Sequence, residues 1–182
     1  MRLTSLAFLF CAIGLAQPKP TADAYIERGK ADLAFSGNVT IPHGSVSSTS
    51  GSVFVDAGYY ASRSSLVGGE VGVSAASGGQ SFSLGAHYRY LFQTRNPKLF
   101  PFVGVSPGLG ITHFSGSSNQ IVPVSSSTNT TFMLRGEAGV KYFVARNVAV
   151  EAAYNLSYSH AANVSFQNSS ASRLVFGLAF TF

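Results

Sequence analysis

From residue 29 onward, apolar and polar residues alternate in eight separate stretches. A period of two is the signature of a β-strand with two unlike faces, because successive side chains point to opposite sides. The first stretch, residues 29–41, sets Leu33, Phe35, Val39 and Ile41 on one face. Residues 51–61 do so with Val53, Val55, Ala57 and Tyr59, and residues 65–75 with Val67, Val71 and Val73. Residues 80–92 carry Phe82, Leu84, Ala86, Tyr88, Tyr90 and Phe92; residues 99–114 carry Val103, Val105, Leu109 and Ile111. Residues 130–144 align Phe132, Leu134, Ala138, Val140, Tyr142 and Val144, and residues 148–158 align Val148, Val150, Ala152, Tyr154, Leu156 and Tyr158. The last stretch, SRLVFGLAFTF, is the most regular. Leu174, Phe176, Leu178, Phe180 and Phe182 share one parity; Arg173, Val175, Gly177, Ala179 and Thr181 share the other.

The connections alternate as well. Residues 62–64, 93–98 and 145–147 are short, whereas residues 42–50, 76–79, 115–129 and 159–171 are mostly longer and rich in Ser, Asn and Gly. Short turns at one end and longer loops at the other predict an all-β fold, an eight-stranded antiparallel up-and-down transmembrane β-barrel. An even strand count puts both termini at the short-turn end, the periplasmic side of such a barrel. Tyr59, Tyr90, Phe92, Phe100, Phe102, Tyr142, Phe180 and Phe182 gather toward that end and predict an interfacial aromatic girdle. Pro107 has no N–H for the ladder and a closed barrel has no edge, so Pro107-Gly108 is expected to mark a bulge or bend.

The second face decides which solvent surrounds the barrel. With the apolar face outward, the inward residues include Asp32, Asp56, Glu70, His87, Arg89, Arg135, Glu137, Lys141, Glu151 and Arg173. Five of the seven acids are among them, and the other two, Asp23 and Glu27, precede the barrel. A soluble barrel has the reverse polarity, charges outside and apolar residues within. The inverted polarity calls for lipid outside. Eight strands leave an interior just wide enough to be filled by side chains, so these charges are expected to form a salt-bridged plug rather than an open pore. A turn centred on Arg146 sets Lys141 across from Glu151, and one centred on Arg63 sets Asp56 opposite Glu70. Two carboxylates that close need a cation between them, and Arg89 is expected to supply it.

Composition adds location. Met1 and Arg2 precede an apolar stretch over residues 6–15, and Gly14-Leu15-Ala16 supplies small residues for cleavage after Ala16. The domain reading is therefore a signal peptide over residues 1–16, a flexible periplasmic lead-in over residues 17–28, and the barrel over residues 29–182. Cleavage removes Cys11, which leaves neither a disulfide framework nor a cysteine metal site. Lys and Arg number 12 against 7 Asp and Glu, or 11 − 7 = +4 without Arg2. The cations are scattered without a run or stripe, so no nucleic-acid partner is expected.

At this point the chain resembles the small outer-membrane β-barrel proteins, the family of the OmpA transmembrane domain, OmpX and the opacity-type adhesins, often labelled the porin family. Three stretches carry the resemblance: GAHYRY (residues 85–90) with LFPFVGV (99–105), GVKYF (139–143) with NVAVE (147–151), and the C-terminal aromatic strand. The resemblance implies a cell outer membrane of a Gram-negative-type bacterium, outer-membrane lipid around the barrel, and a monomer. It implies too that Leu174, Phe176, Leu178, Phe180 and Phe182 form the signal read by the barrel assembly machinery. It speaks weakly to activity.

The leading functional expectation is a non-catalytic barrel acting structurally or through its extracellular loops, by adhesion or another surface interaction with host or surface ligands. Ile121, Val122, Pro123 and Val124 form an apolar segment in the longest loop and are the candidate interaction site. A narrow passive channel for small solutes is the alternative. A lipid A deacylase-type enzyme is the remote one, since His113 and His160 have outward parity near Ser115 and Ser159. With the acids in the lumen, no Ser-His-Asp set forms. The four histidines are dispersed, His43 in a loop, and neither metal nor cofactor is expected.

Overall fold

The computed structural model describes residues 25–40, 50–76, 79–114, 127–161 and 168–182. The expected signal peptide with Cys11, most of the lead-in, and the loop segment Ile121–Val124 with His43 lie outside the described residues. Eight strands follow in order: β1 (Ala31–Thr40), β2 (Ser50–Ser62), β3 (Ser65–Ala76), β4 (Gly79–Leu91), β5 (Leu99–Phe114), β6 (Ser127–Ala145), β7 (Val148–Ala161) and β8 (Asn168–Thr181). Each pairs antiparallel with its neighbours in sequence, and β1 pairs with β8 to close a barrel. β6, β7 and β8 extend beyond the expected segments into what read as loop, because Ser, Thr and Asn residues there still pair across the ladder, as in Thr112↔Asn129 and Ser159↔Ser169.

Two short turns connect β2 to β3 and β6 to β7. The register there is the expected one, Asp56↔Glu70 and Lys141↔Glu151, and a one-residue shift follows at each turn, between Tyr60 and Ser62 and between Phe143 and Ala145. Pro107 behaves differently from the expected bulge. The β4–β5 register is the same on both sides of it, Gly85↔Gly108 and Tyr88↔Val105, with the pairs between left open, and β5 stays in step with β6 through Pro107↔Leu134. The lost N–H is accommodated as a gap in one ladder without an inserted residue.

Alternation sorts the faces. Among the described strand positions of outward parity there is no Asp, Glu, Lys or Arg. The exposed large side chains are Phe35, Val53, Leu84, Leu109, Phe132, Leu156, Leu174, Phe176 and their like, all on that face. Such an uncharged belt is suited to hydrocarbon and is too large for a water-soluble monomer.

The interior has storeys. At the short-turn end Tyr60, Leu66, Leu91, Phe100, Phe102 and Phe143 fill the barrel as an apolar stopper. Phe100 and Phe102 were expected in the outer girdle. They have the inward parity of β5 and are buried, so they belong to the stopper. Part of the expected flexible lead-in is seated on it: Ile26 is 2% exposed, and the Tyr25 ring lies 5.0 Å from that of Phe143. Gly29, at a φ of 88° that favours glycine, turns the chain from this seat into β1 and donates to the Tyr60 carbonyl at 2.8 Å.

Candidate functional site

The charged storey rests on the stopper. Its residues come from inward positions of β1, β2, β3, β4, β6 and β7, so alternation alone selects them. Arg89 is central. Its Nε donates to Glu137 Oε1 at 2.5 Å, its Nη1 to Glu151 Oε2 at 3.3 Å, and its Nη2 lies 4.0 Å from Asp56 Oδ2. Lys141 donates to Asp32 Oδ1 at 2.7 Å and lies 3.1 Å from Glu151 Oε1. Tyr60 Oη and Thr181 Oγ1 also donate to Asp32, at 3.1 and 2.9 Å. Charged pairs with these hydrogen bonds offset much of the cost of removing ions from water.

The guanidinium of Arg89 sits 5.1 Å from the Phe102 centroid, and Lys141 Nζ is 5.7 Å from that of Tyr60 and 5.6 Å from that of Phe143. Cation–π attraction thereby ties the charged storey to the apolar one beneath it.

The structure brings most of the candidate charges together and redistributes two roles. Asp56 and Glu70 are directly opposite. The cation expected between them was Arg89, but Glu70 is held by Arg135, whose Nη2 donates to its Oε2. Arg89 reaches Asp56 only at the edge of ion-pair range. The reason is space: opposite Arg89 stands Gly104, which has no side chain, and just beyond it Glu137. Arg173 was expected in the charge network too. Among the described residues its partner is a hydroxyl, Ser52 Oγ at 3.4 Å.

Asp32 is the partner of Lys141 that register reasoning missed. The contact crosses the lumen between strands far apart in sequence, so adjacent-strand register contains no trace of it. The available signal was parity, which placed both residues inside.

Above the charges, toward the long-loop end, lies a cavity of about 630 Å³. Asn38, Ser52, Ser81, Thr131, Arg135 and Asn155 line part of it. This polar cup was not singled out from sequence, since Ser, Thr and Asn carry little individual signal.

His113 Nδ1 is 3.3 Å from Thr128 Oγ1. His160 is exposed on the outer face while Ser159, one residue earlier, has inward parity. Ser115 lies outside the described residues.

With this geometry in place, comparison with known proteins is informative. The family model described as outer membrane protein beta-barrel domain matches residues 4–182. No curated protein matches the sequence. Among solved structures, Neisserial surface protein A is similar at 22% identity, with 85% of this chain and 97% of that one covered and a TM-score of 0.65. The N-terminal β-barrel domain of Pseudomonas aeruginosa OprF is 17% identical over 85% and 98% of the two chains, with a TM-score of 0.57. Ail, the attachment invasion locus protein of Yersinia pestis, is 14% identical over 86% and 100%, with a TM-score of 0.51. At such identities the likeness concerns the fold.

Proposed function

The chain belongs to the outer membrane protein beta-barrel domain family, and from that premise we propose a non-catalytic integral outer-membrane protein with a closed lumen that acts structurally or through its extracellular loops. The observation that carries this reading is the crossing of the lumen by Arg89–Glu137, Arg89–Glu151 and Lys141–Asp32 above the aromatic stopper. A solute would have to part several charge-assisted pairs and the packed rings below them. With passage barred, the long-loop end is the surface left for interaction. Ail is by its name an attachment protein, and a shared fold gives this chain the same scaffold for such a role. The residues before the barrel act in this reading as a cleaved export signal, and the strand that ends at Phe182 as the segment recognised during assembly.

Planar-bilayer recording of the folded, purified protein tests the closed lumen. A silent bilayer is expected from the natural sequence, and discrete openings from the double variant Arg89→Ala/Lys141→Ala. Reproducible openings of the natural protein would replace this reading with the narrow channel. Deletion within residues 115–126, followed by binding to host-cell surfaces, tests the loop role; unchanged binding would remove that segment from it.

A further inference from the structure

We propose that Asp56, Glu70 and His87 form a binding site for a divalent transition-metal cation of the Zn²⁺ type inside the lumen. The three residues come from consecutive strands β2, β3 and β4, and one candidate ligand atom from each lies within 4.8 Å of the other two. Adjacent ligands of a tetrahedral Zn²⁺ with bonds of about 2.1 Å stand about 3.4 Å apart, so modest side-chain closure completes the set. Imidazole with two carboxylates is a donor set that suits a borderline cation.

A second observation points the same way. His87 is 3% exposed and Asp56 4%, yet both imidazole nitrogens and Asp56 Oδ1 have no hydrogen-bond partner among the described residues. His87 Nδ1 faces Asp56 Oδ1 at 3.7 Å, too far for a hydrogen bond. Buried polar atoms without partners are rare, and a bound ion or water is one of the few arrangements that satisfies them.

Charge gives a third. The lumen holds five buried carboxylates, Asp32, Asp56, Glu70, Glu137 and Glu151, which pair with buried Arg89 and Lys141 and half-buried Arg135. With half-buried Arg173, which stands with Ser52, the balance is 4 − 5 = −1 before His87 is counted. Asp56 is the carboxylate with the most distant cation, Arg89 Nη2 at 4.0 Å. One divalent ion beside it supplies the close cation that Asp56 lacks. Arg89 faces Asp56 Oδ2 and Arg135 holds Glu70 Oε2, so both arginines orient the carboxylates, and Asp56 Oδ1 is left to the ion. Glu70 also lines the polar cup, which offers an approach from the long-loop end and room for a water as a further ligand. The site does not depend on whether the lumen conducts.

The test is equilibrium dialysis of the folded, full mature protein in detergent micelles against Zn²⁺, with metal content read by mass spectrometry. One ion per barrel is expected, with affinity lowered at least about tenfold in His87→Gln and in Asp56→Asn and unchanged in His113→Asn/His160→Asn. Retention of the folded form on unheated gels shows that each variant is a barrel. Should either variant fail to fold, the ¹⁵N resonances of the His87 imidazole in the natural protein are expected to move on Zn²⁺ addition. Absence of retained Zn²⁺, retention insensitive to His87→Gln and Asp56→Asn, or unmoved His87 resonances would each overturn the site.

Discussion

Arg89 and Glu137 are both in register with Gly104 of the strand between theirs, and they pair across it with Arg89 Nε 2.5 Å from Glu137 Oε1. Arg89 also serves Glu151. Replacing Arg89 with Met leaves two buried carboxylates without their shared cation. Breaking a buried pair from one side costs about 3–5 kcal/mol. Urea unfolding of the barrel in lipid vesicles, followed by gel mobility, should show Arg89→Met destabilised by about that amount. Glu137→Gln should lose less, because Arg89 keeps Glu151. The double variant should lose less than the sum.

Gly104 gives a prediction that involves no charge. A Cβ at residue 104 would stand 2.5 Å from Glu137 Oε1 and 3.0 Å from Arg89 Cγ. Gly104→Val should force the pair apart and lower stability by about 1–3 kcal/mol, the usual cost of overpacking. The same substitution combined with Glu137→Ala should recover part of the loss. Equal losses with and without Glu137 would show that backbone strain, and not the pair, is responsible.

These two residues also show how far the sequence speaks. Alternation placed Arg89 and Glu137 inside, and the same rule located the eight strands and the lumen side of the charges they carry. Local turn geometry sufficed for Lys141 opposite Glu151. Partners across the lumen, Arg135 with Glu70 and Lys141 with Asp32, depend on barrel closure and on where side chains are missing. No window of sequence contains that information. Phe100 and Phe102 were misplaced because gathering toward one end was weighed above parity. Asp56 was set opposite Glu70 from the turn, but His87 was not brought to them, since its approach arises only when three strands curl together.

The two faces should respond oppositely to one added charge. Phe176 is 64% exposed on the outer belt, whereas Thr131 lines the polar cup. Phe176→Arg should cost about 2–4 kcal/mol in a bilayer if it sits near the midplane, the penalty for a lipid-facing cation. Thr131→Arg should change stability little, because the cup offers water and hydroxyls. Unfolding in vesicles measures both. Similar costs at the two positions would contradict the inverted polarity on which the lipid assignment rests.

The final residue closes the barrel. Phe182 N donates to the Ala31 carbonyl at 2.9 Å, and Ala31 N donates to the Phe182 carbonyl at 3.1 Å. The β1–β8 seam that these bonds extend is short, running from Asp32↔Thr181 to Gly37↔Phe176, while β1–β2 runs from Ala31↔Tyr59 to Thr40↔Ser50. Deleting Phe182 removes both bonds, a net loss of about 2 kcal/mol at about 1 kcal/mol each, from the β1–β8 pairing that turns the sheet into a cylinder. Refolding into lipid vesicles should therefore slow and the folded fraction should fall. Phe182→Leu keeps the backbone pair and should refold at close to the natural rate. The proposed recognition of this strand during assembly predicts that Phe182→Leu nonetheless lowers the amount of barrel in the membrane of cells. A Leu variant that is defective in pure lipid to the same degree as the deletion would assign the effect to the ring, and one that assembles normally in cells would remove Phe182 from the recognised segment.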